Sequence, residues 1–340
     1  MTTTIGSAVI GIGHIGKRHI EEINKNPDIC LLATYDSDPK KNTLPSSENK
    51  LQDILSNPAI HVVHICTPNA SHGDLAIQIL NHNKHVVIEK PMCLTTKTAN
   101  DIVNLAIEKN LHVFCVMQNR YSPVSQWLKQ TIESNILGEI YTVQIQCAWN
   151  RDDRYYKHEH WHGKLSIDGG PLYTQFSHFV DLLFWLFGKV EIKDAEFYNY
   201  NHKHNTEFED SGNLNCFLPN FHANCLFQYT TSIYDQNFES SITIIAEKGT
   251  IKASGQYMDK ITYVHAQDLN FPELTPTAAP NLYPEGYQGS ANNHSYIIQN
   301  VVDTLNGKSS ADITPNDGKS VVEIIENAYK YRDLNKLKKK

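Results

Sequence analysis

Residues 5–36 read IGSAVIGIGHIGKRHIEEINKNPDICLLATYD, and this stretch decides the fold of the first part of the chain. Its apolar runs predict β-strands over residues 7–12 and 29–35, and the spacing between them predicts a helix over residues 15–25. The glycine run GIGHIG joins the first strand to the helix. A strand, a glycine-rich turn and a helix in this order are the context that makes the motif indicate dinucleotide binding.

Each glycine of the run has a separate steric role in such a loop. Gly11 permits the tight turn, Gly13 lets a pyrophosphate approach the backbone, and Gly16 allows the helix to pack closely on the sheet. His14 and Ile15 lie between them at the helix N-terminus, where free N–H groups and the positive end of the helix dipole favour an anion. These five residues are therefore the first candidate cofactor-binding group.

Asp36 follows the second predicted strand, twenty residues after Gly16. A carboxylate at this place can accept hydrogen bonds from both hydroxyls of the adenosine ribose, and it repels a 2′-phosphate. The sequence therefore favours NAD over NADP, although Lys40 and Lys41 lie nearby. The alternative is a Rossmann-like domain that binds another nucleotide, such as a methyl donor.

Strands and helices continue to alternate up to about residue 120. Further strands are predicted over residues 60–66, 85–88 and 113–116, with helices over residues 51–55, 71–81 and 96–109. Continuous β-branched strands between helices predict a parallel sheet that is buried on both faces. Right-handed crossovers then give a doubly wound α/β domain over residues 1–120.

The pattern changes after Ser122. Helices are predicted over residues 123–134, 172–187, 294–306 and 318–331, and residues 266–290 are rich in Pro, Gly and Asn, which indicates a loop. A strand begins in ILGEIYTVQIQCAW, and residues 192–263 contain many alternating strand candidates. We therefore predict a second, α+β domain over residues 121–340 with a large, mostly antiparallel sheet, whose terminal helices could pack back on the first domain.

Composition excludes several classes of protein. Thirty basic and 37 acidic residues give a net charge of −7, which provides no general attraction for nucleic acid or an anionic membrane. No apolar stretch reaches the roughly 18 residues of a membrane span. The seven cysteines form no CxxC pair, and the N-terminus lacks the features of a signal peptide. These features indicate reduced thiols and a cytoplasmic protein.

Three further motifs carry a family resemblance: CTPNASH at residues 66–72, EKPM at 89–92 and NRYSP at 119–123. Together with the glycine run, they resemble the Gfo/Idh/MocA oxidoreductase family, which includes glucose–fructose oxidoreductase and inositol dehydrogenase. The resemblance covers essentially the whole chain. It implies that the loop 67–72 lies along the nicotinamide ribose. The candidate cofactor-binding residues that it adds are Thr67, Pro68, Asn69, His72, Glu89, Lys90, Pro91 and Asn119.

Lys90 is the first candidate catalytic residue. Oxidation of a secondary alcohol needs a group that takes the hydroxyl proton, and a lysine can do so if burial or a neighbouring cation lowers its pKa. In the family that the chain resembles, the Lys–Pro bond at this place is often cis, so a cis Lys90–Pro91 bond is implied. Glu89 could orient Lys90 or the nicotinamide. The alternative is that Lys90 is an ordinary lysine at a strand end.

The segment DGGPLYTQFSHFVDLL, residues 168–183, resembles the catalytic helix of the family, and His178 falls at its histidine position. Thr174 stands one turn earlier, where many members have Asp or Asn, so a carboxylate–histidine pair is in doubt. Gln175 could supply part of the missing hydrogen bonding. Lys90 and His178 remain as the minimal acid/base set, and the alternative for His178 is a structural core histidine.

Within the family, the chain most resembles the 3-dehydrogenases of UDP-2-acetamido-2-deoxyglucuronate. The candidate substrate-binding residues on this basis are Lys90, Arg120, Tyr121, Arg151, Tyr155, Tyr156, Trp161, His162, Thr174, Gln175 and His178. Arginines suit a carboxylate or pyrophosphate, and aromatic rings suit a sugar or a uracil. The alternatives are surface arginines and core aromatics.

Several functions remain open at this point. The family's 3-dehydrogenases oxidise a sugar C3 hydroxyl, and some reoxidise their bound nucleotide with 2-oxoglutarate. A dehydrogenase or ketoreductase for a free sugar, an inositol or another nucleotide sugar is the first alternative, and a non-catalytic NAD-binding regulator is the second.

The resemblance also implies a homodimer or homotetramer. The histidines at 158, 160 and 162 suggest a metal site, but no fourth ligand is evident, and we expect no metal.

Overall fold

The structure is a computed structural model that describes residues 4–48, 50–157, 160–275 and 292–337. The chain divides into two compact units. Unit 1 consists of Met1–Gln118 and His294–Val322, and unit 2 consists of Asn119–Asn293 and Glu323–Lys340. Most of the predicted loop 266–290, the histidine at position 158 and the last three lysines of the basic tail lie outside the described residues.

Unit 1 is built on a five-stranded parallel sheet in the order β2-β1-β3-β4-β5. Its strands are β1 (Ile5–Ile10), β2 (Ile29–Tyr35), β3 (Val62–Ile65), β4 (His85–Ile88) and β5 (Val113–Cys115). The accompanying helices are α1 (His14–Lys25), α2 (Leu51–Ser56), α3 (His72–Asn81), α4 (Thr96–Lys109) and α9 (His294–Leu305). The strands have buried apolar side chains, as expected for a sheet that is covered on both faces. The predicted doubly wound architecture is confirmed.

The first strand begins and ends two residues earlier than the sequence predicted. Strand β1 stops at Ile10 because Gly11 has a φ of +90° and turns the chain out of the sheet. The next amide, that of Ile12, donates to the carboxylate of Asp36 rather than to a neighbouring strand. The apolar run continues past the strand because Ile12 is also buried.

Unit 2 contains a seven-stranded sheet in the order β12-β11-β10-β6-β9-β8-β7. Its strands are β6 (Ile140–Ala148), β7 (Glu191–Tyr198), β8 (Ser211–Leu218), β9 (Ala223–Thr230), β10 (Glu239–Ala246), β11 (Gly249–Ser254) and β12 (Lys260–Ala266). All neighbouring pairs are antiparallel except β6 and β9, which run parallel. This confirms the predicted large, mostly antiparallel sheet.

The remaining helices are α5 (Pro123–Glu133), α6 (Leu165–Asp168), α7 (Pro171–Thr174), α8 (Ser177–Phe187), α10 (Pro315–Tyr329) and α11 (Leu334–Leu337). Ser122 is the N-cap of helix α5, and its side chain accepts a hydrogen bond from the amide of Ser125. None of the described helices has the length and hydrophobicity that a bilayer crossing requires.

The helix predicted over residues 172–187 is in fact two helices. The amides of Gln175 and Phe176 both donate to the carbonyl of Pro171, which widens the turn and separates α7 from α8. The Phe176 ring packs against Trp149 and Tyr229, with ring centroids 5.3 and 5.1 Å apart. The segment has no internal Gly or Pro to mark this break, so the apolar pattern alone could not reveal it.

Candidate cofactor and substrate sites

The glycine loop of unit 1 has the geometry that its sequence predicted. A Cβ atom on Gly11 would stand 2.5 Å from the Cys66 carbonyl oxygen, and one on Gly16 would stand 1.8 Å from the Gly11 carbonyl oxygen. Neither position can therefore accept a side chain. A Cβ on Gly13, in contrast, would meet no described atom within 4 Å. Open space beside Gly13 at the start of α1, where His14 and Ile15 form the first turn, fits a bound pyrophosphate.

Asp36 is fixed at the end of β2 with 8% of its surface exposed. Its Oδ2 accepts a hydrogen bond from the Ile12 amide at 2.7 Å, and its Oδ1 accepts one from the Asp38 amide at 2.9 Å. Lys41 Nζ is 3.9 Å from Oδ2. The carboxylate is thus held next to the glycine loop, and each oxygen keeps a lone pair that can accept from a ribose hydroxyl.

The loop that contains Thr67, Pro68 and Asn69 is tied to the chain around Lys90. Ring nitrogens Nδ1 and Nε2 of His72 lie 2.7 Å from the Pro91 and Thr67 carbonyl oxygens, respectively. Burial lowers the pKa of His72, although the two carbonyls favour its charged form. The Lys90–Pro91 bond is cis, as the resemblance implied, and Lys90 itself is half-buried.

Glu89 is the centre of a buried polar cluster in unit 1. Its Oε1 is 3.0 Å from His19 Nε2 and 3.1 Å from His294 Nε2, and its Oε2 accepts the Lys90 amide at 3.1 Å. His19 Nδ1 is in turn 3.0 Å from His64 Nδ1. Burial alone would raise the pKa of Glu89, but the hydrogen bonds from the two histidines hold it well below its usual range.

His19, Glu89 and His294 also form the one group among the described residues whose donor atoms could hold a metal ion, with all three atoms within 4.8 Å of one another. Two imidazoles and one carboxylate are a common zinc ligand set. The two nitrogen–oxygen distances, however, are ordinary hydrogen-bond lengths. We therefore interpret the cluster as hydrogen-bonded, and the absence of a metal cofactor stays a prediction.

In unit 2, Arg120 is buried and forms a bidentate ion pair with Asp181 on α8. Arg120 Nε is 2.9 Å from Asp181 Oδ2, and Nη2 is 2.6 Å from Oδ1. The Trp185 ring lies 5.6 Å from the guanidinium carbon. Arg120 therefore anchors α8 in this structure. The next residue, Tyr121, is half-buried.

Thr174 is hydrogen-bonded to the carboxylate of Asp168, a contact that the sequence did not predict. Its hydroxyl donates to Asp168 Oδ1, and the Gly163 amide donates to Asp168 Oδ2 at 2.9 Å. Asp168 is fully buried. The sequence predicted that Thr174 lies one turn before His178 on a single helix, and this is wrong because Thr174 ends α7 and His178 lies in the first turn of α8.

Three polar side chains of unit 2 that the sequence singled out, His178, Gln175 and Asn119, are buried. His178 is 2% exposed and Gln175 is 4% exposed. Within the described part of the chain, neither amide atom of Gln175 has a hydrogen-bond partner, and the same holds for Oδ1 of Asn119. Buried amides without protein partners are costly unless a ligand or water satisfies them. Gln175 and Asn119 are therefore candidates for ligand contact.

Arg151 belongs to a stack of aromatic rings rather than to the surface. Its guanidinium carbon lies 4.9 Å from the Trp149 ring centre and 5.3 Å from that of Tyr155. The Tyr155 and His162 ring centroids are 4.1 Å apart, and those of His162 and Trp161 are 3.8 Å apart. Burial lowers the pKa of His162. Of this stack, Trp161 and His162 are half-buried, and they are the members that a ligand could still reach.

Tyr156 instead packs in a small core with Tyr155 and Phe208. Burial raises the pKa of Tyr156 well above its usual value. A ring that is 2% exposed in such a core has little surface left for a sugar. The core alternative fits Tyr156 better than direct substrate contact.

The sequence also provided no indication of a buried network around the carboxylate of Glu209. It accepts hydrogen bonds from the Tyr229 and Tyr329 hydroxyls at 2.9 and 2.7 Å, and from Arg332 Nη1 at 3.0 Å. Arg332 donates as well to the Gly169 carbonyl at 3.2 Å. The network holds the turn that precedes α7. No local motif in the sequence marks it, because its members are far apart along the chain.

Two family models match the chain. The model described as "oxidoreductase family, NAD-binding Rossmann fold" matches residues 5–116, and the one described as "oxidoreductase family, C-terminal alpha/beta domain" matches residues 129–333. Together they cover both halves of the sequence.

Among solved structures, the chain is similar to the WlbA dehydrogenase of Bordetella pertussis in complex with NADH and UDP-GlcNAcA. The two are 28% identical with a TM-score of 0.85, and the match covers 96% of each chain. The WlbA dehydrogenase of Chromobacterium violaceum, with the same two ligands, is 26% identical with a TM-score of 0.85, and the match covers 97% of this chain and 94% of that one.

Among curated proteins, the chain is similar to the scyllo-inositol 2-dehydrogenase (NADP(+)) of Bacillus subtilis. They are 28% identical over 193 residues, which is 54% of this chain and 52% of that protein. The matched stretch spans about half the length, or less, of the curated relatives.

Proposed function

The chain belongs to the Gfo/Idh/MocA family of oxidoreductases, and from this premise we propose that it oxidises a secondary hydroxyl of a sugar with NAD. The substrate that we propose is a nucleotide sugar of the UDP-2-acetamido-2-deoxyglucuronate type, which is oxidised at C3. The observation that carries the proposal is the similarity, along 96% of both chains, to a dehydrogenase structure with NADH and UDP-GlcNAcA.

The residues of unit 1 fit NAD. NAD supplies the hydride acceptor when it is bound. The space beside Gly13 and the N-terminus of α1 would take the pyrophosphate, and Asp36 would accept from the ribose hydroxyls and disfavour a 2′-phosphate. Thr67, Pro68, Asn69 and His72 are proposed to line the nicotinamide side, and the same role is proposed for Asn119, the first residue of unit 2.

Lys90 and His178 are the proposed acid/base groups. As the substrate C–H bond breaks and its electron pair leaves as hydride, the hydroxyl proton must go to a base so that a ketone forms. Lys90 as a neutral amine accepts that proton in our proposal, and His178 hydrogen-bonds the same oxygen or relays the proton. Histidine and lysine side chains are both common general acid/base groups in enzymes, and in this chain His178 is buried and Lys90 is half-buried.

The sugar-binding residues are proposed from unit 2. Gln175 and Thr174 adjoin His178 in sequence, and Trp161 and His162 offer ring surface for a uracil or a sugar. Arg120 and Arg151 are both buried and engaged by protein groups, so we propose that they support the site through Asp181 and the aromatic stack.

A second candidate substrate is an inositol or a free sugar. The observation in its favour is the 28% identity to a scyllo-inositol 2-dehydrogenase. An inositol has no nucleotide or carboxylate, so it would need hydroxyl-binding side chains and no cationic partner for phosphate.

Product mass analysis tests the proposal. Purified protein is incubated with NAD, with and without 2-oxoglutarate, and with a panel that includes UDP-2-acetamido-2-deoxyglucuronate, neutral UDP-sugars, free sugars and inositols. Loss of two hydrogens from the uronate alone is the expected result. If only an inositol or a free sugar is oxidised, the second candidate is the substrate. If NAD binds but no compound of the panel is oxidised, the proposed function is contradicted.

A further inference from the structure

The cluster around Glu89 is not used by the proposed chemistry, yet its titratable side chains are all buried. We call His19, His64 and His294 the histidine cluster. The His19 and His64 side chains are fully buried, and Glu89 and His294 are 5% and 3% exposed. The three histidines come from α1, β3 and α9, and Glu89 directly follows β4.

The hydrogen bonds of the cluster are consistent with one arrangement of protons. Glu89 Oε1 can accept only from ring N–H groups, so both His19 and His294 carry a proton on Nε2. His19 Nδ1 then accepts from the Nδ1–H of His64. Burial lowers the pKa of His64 and of His294, which favours their neutral rings. In this arrangement Glu89 is a carboxylate that two donors hold in place.

The other oxygen of Glu89 contacts the main chain of the proposed catalytic residue. Oε2 accepts the amide of Lys90 at 3.1 Å, the Glu89 amide donates to the Ile65 carbonyl at 3.0 Å, and the Pro91 carbonyl lies 2.7 Å from His72 Nδ1. The backbone is therefore held before, at and after Lys90. A side chain that must meet a hydroxyl proton within about 3 Å depends on such fixation.

We propose that Glu89 is a positioning residue for Lys90, and that the histidine cluster holds the Glu89 carboxylate in the orientation that this requires. The proposal rests on the proposed function for the role of Lys90. The charged and titratable groups that face Glu89 or its partners are His19, His64, His294, Arg18, Cys66, His72 and Lys90.

The central experiment is Glu89→Gln, which keeps the shape of the side chain and removes its charge. An amide cannot accept from two ring N–H groups and also from the Lys90 amide, so one of these bonds is lost. We expect kcat to fall about 10- to 100-fold while the KM values for NAD and for the sugar change less than about threefold. Glu22→Gln, at a similarly buried glutamate on α1 that pairs with Lys25, is the matched control and should leave kcat unchanged.

A second readout does not need turnover. The rate at which acetic anhydride acylates Lys90 is measured against pH by peptide mass spectrometry in the wild type and in both variants. Loss of the hydrogen bond between the Lys90 amide and the Glu89 carboxylate should change the acylation rate of Lys90 by about threefold or more in Glu89→Gln and leave it unchanged in Glu22→Gln, because the backbone at Lys90 is then no longer fixed. A purely structural role would lower the thermal midpoint without changing the acylation rate of Lys90.

Two substitutions at His294 test the cluster itself. In His294→Gln an amide N–H can replace the ring Nε2–H, so most of the activity should remain, whereas His294→Leu removes the donor and should behave like Glu89→Gln. Because these variants keep Glu89, they test the positioning role even if Glu89→Gln does not fold.

The outcomes separate the two proposals. A wild type that oxidises no sugar contradicts the proposed function, and the acylation curves still decide the role of Glu89. Unchanged acylation and unchanged kcat in Glu89→Gln would overturn the positioning role. One equivalent of zinc in the purified wild type, absent from Glu89→Gln, would overturn it too, because the cluster would then be a metal site.

Discussion

Lys90 is the residue on which the proposed chemistry depends most directly. Lys90→Ala removes the group that takes the hydroxyl proton, so kcat should fall by about 10² to 10⁴ while NAD binding is retained. Turnover is followed by NADH absorbance, and NADH binding by fluorescence. Lys97→Ala, at an exposed lysine on α4, is the control. Turnover at the wild-type rate in Lys90→Ala would remove Lys90 from the mechanism.

Asp36 is the residue that should decide between NAD and NADP. Asp36→Asn keeps an oxygen that can accept from the Ile12 amide and removes the negative charge near Lys41. The ratio of kcat/KM for NAD to that for NADP should fall about tenfold, since roughly 1.4 kcal/mol of discrimination corresponds to one order of magnitude. Asp38→Asn, two residues further along at a half-buried position, should leave the ratio unchanged. A wild type that already prefers NADP would show that Asp36 has been misinterpreted.

The sequence could predict residues that lie in short motifs, and it could not predict partners that the fold brings together. The positions of Gly11, Gly16 and Asp36 follow from local sterics and spacing. The carboxylate beside Thr174 does not, because Asp168 reaches it across a turn between two short helices. Distances along the chain give no information about such contacts.

At the scale of the element, the glycine loop offers a matched pair of substitutions. Gly16→Ala would place a methyl group 1.8 Å from the Gly11 carbonyl oxygen, so it should lower the free energy of unfolding by roughly 2 kcal/mol or more. Gly13→Ala meets no described atom within 4 Å and should fold like the wild type, yet its methyl group would stand where the pyrophosphate approaches.

Thermal unfolding and NADH titration of the two variants check this prediction. The expected pattern is a normal thermal midpoint with weakened NADH binding in Gly13→Ala, and a lowered midpoint in Gly16→Ala. Unchanged NADH affinity in Gly13→Ala would mean that the cofactor does not pass over this glycine.

The bounds of helices and strands with a clear hydrophobic pattern were predicted almost to the residue. Helix α4 and strand β4 have the predicted bounds because each is flanked by a clear end signal: the Thr95 cap in one case and the turn after Asn81 in the other. The division between α7 and α8 was missed. Its cause is tertiary, since the buried Phe176 ring packs between Trp149 and Tyr229, and no local signal marks it.

The chain has 17 histidines, and those within the described residues occupy two kinds of environment. Several lie on the surface, but burial lowers the pKa of five of the described ones: His64, His72, His85, His162 and His294. They occur in both units. These imidazoles resist protonation in the folded protein, so the free energy of unfolding depends on pH.

The free energy of unfolding should fall on acidification. In the unfolded chain these histidines take up protons near pH 6.5, whereas in the folded protein they do so only at lower pH, so the unfolded state binds more protons in between. Stability is therefore present above about pH 6.5 and is lost progressively as pH falls toward 4. Burial raises the pKa of Glu209, which acts in the opposite direction, but it is one carboxyl against five imidazoles.

Urea unfolding at pH 7.5, 6.0 and 5.0 measures this loss of stability, and part of the loss can be attributed to His85. Burial lowers the pKa of His85 to about 4, and after allowance for its partial exposure this corresponds to on the order of 1 to 2 kcal/mol between pH 7.5 and 5. In His85→Asn the amide oxygen can still accept from the His112 amide, as Nδ1 does, while nothing titrates. The variant should thus lose less stability on acidification than the wild type. Equal losses in the two proteins, or a free energy of unfolding that does not change over this range, would show that the buried histidines do not control the acid stability of the fold.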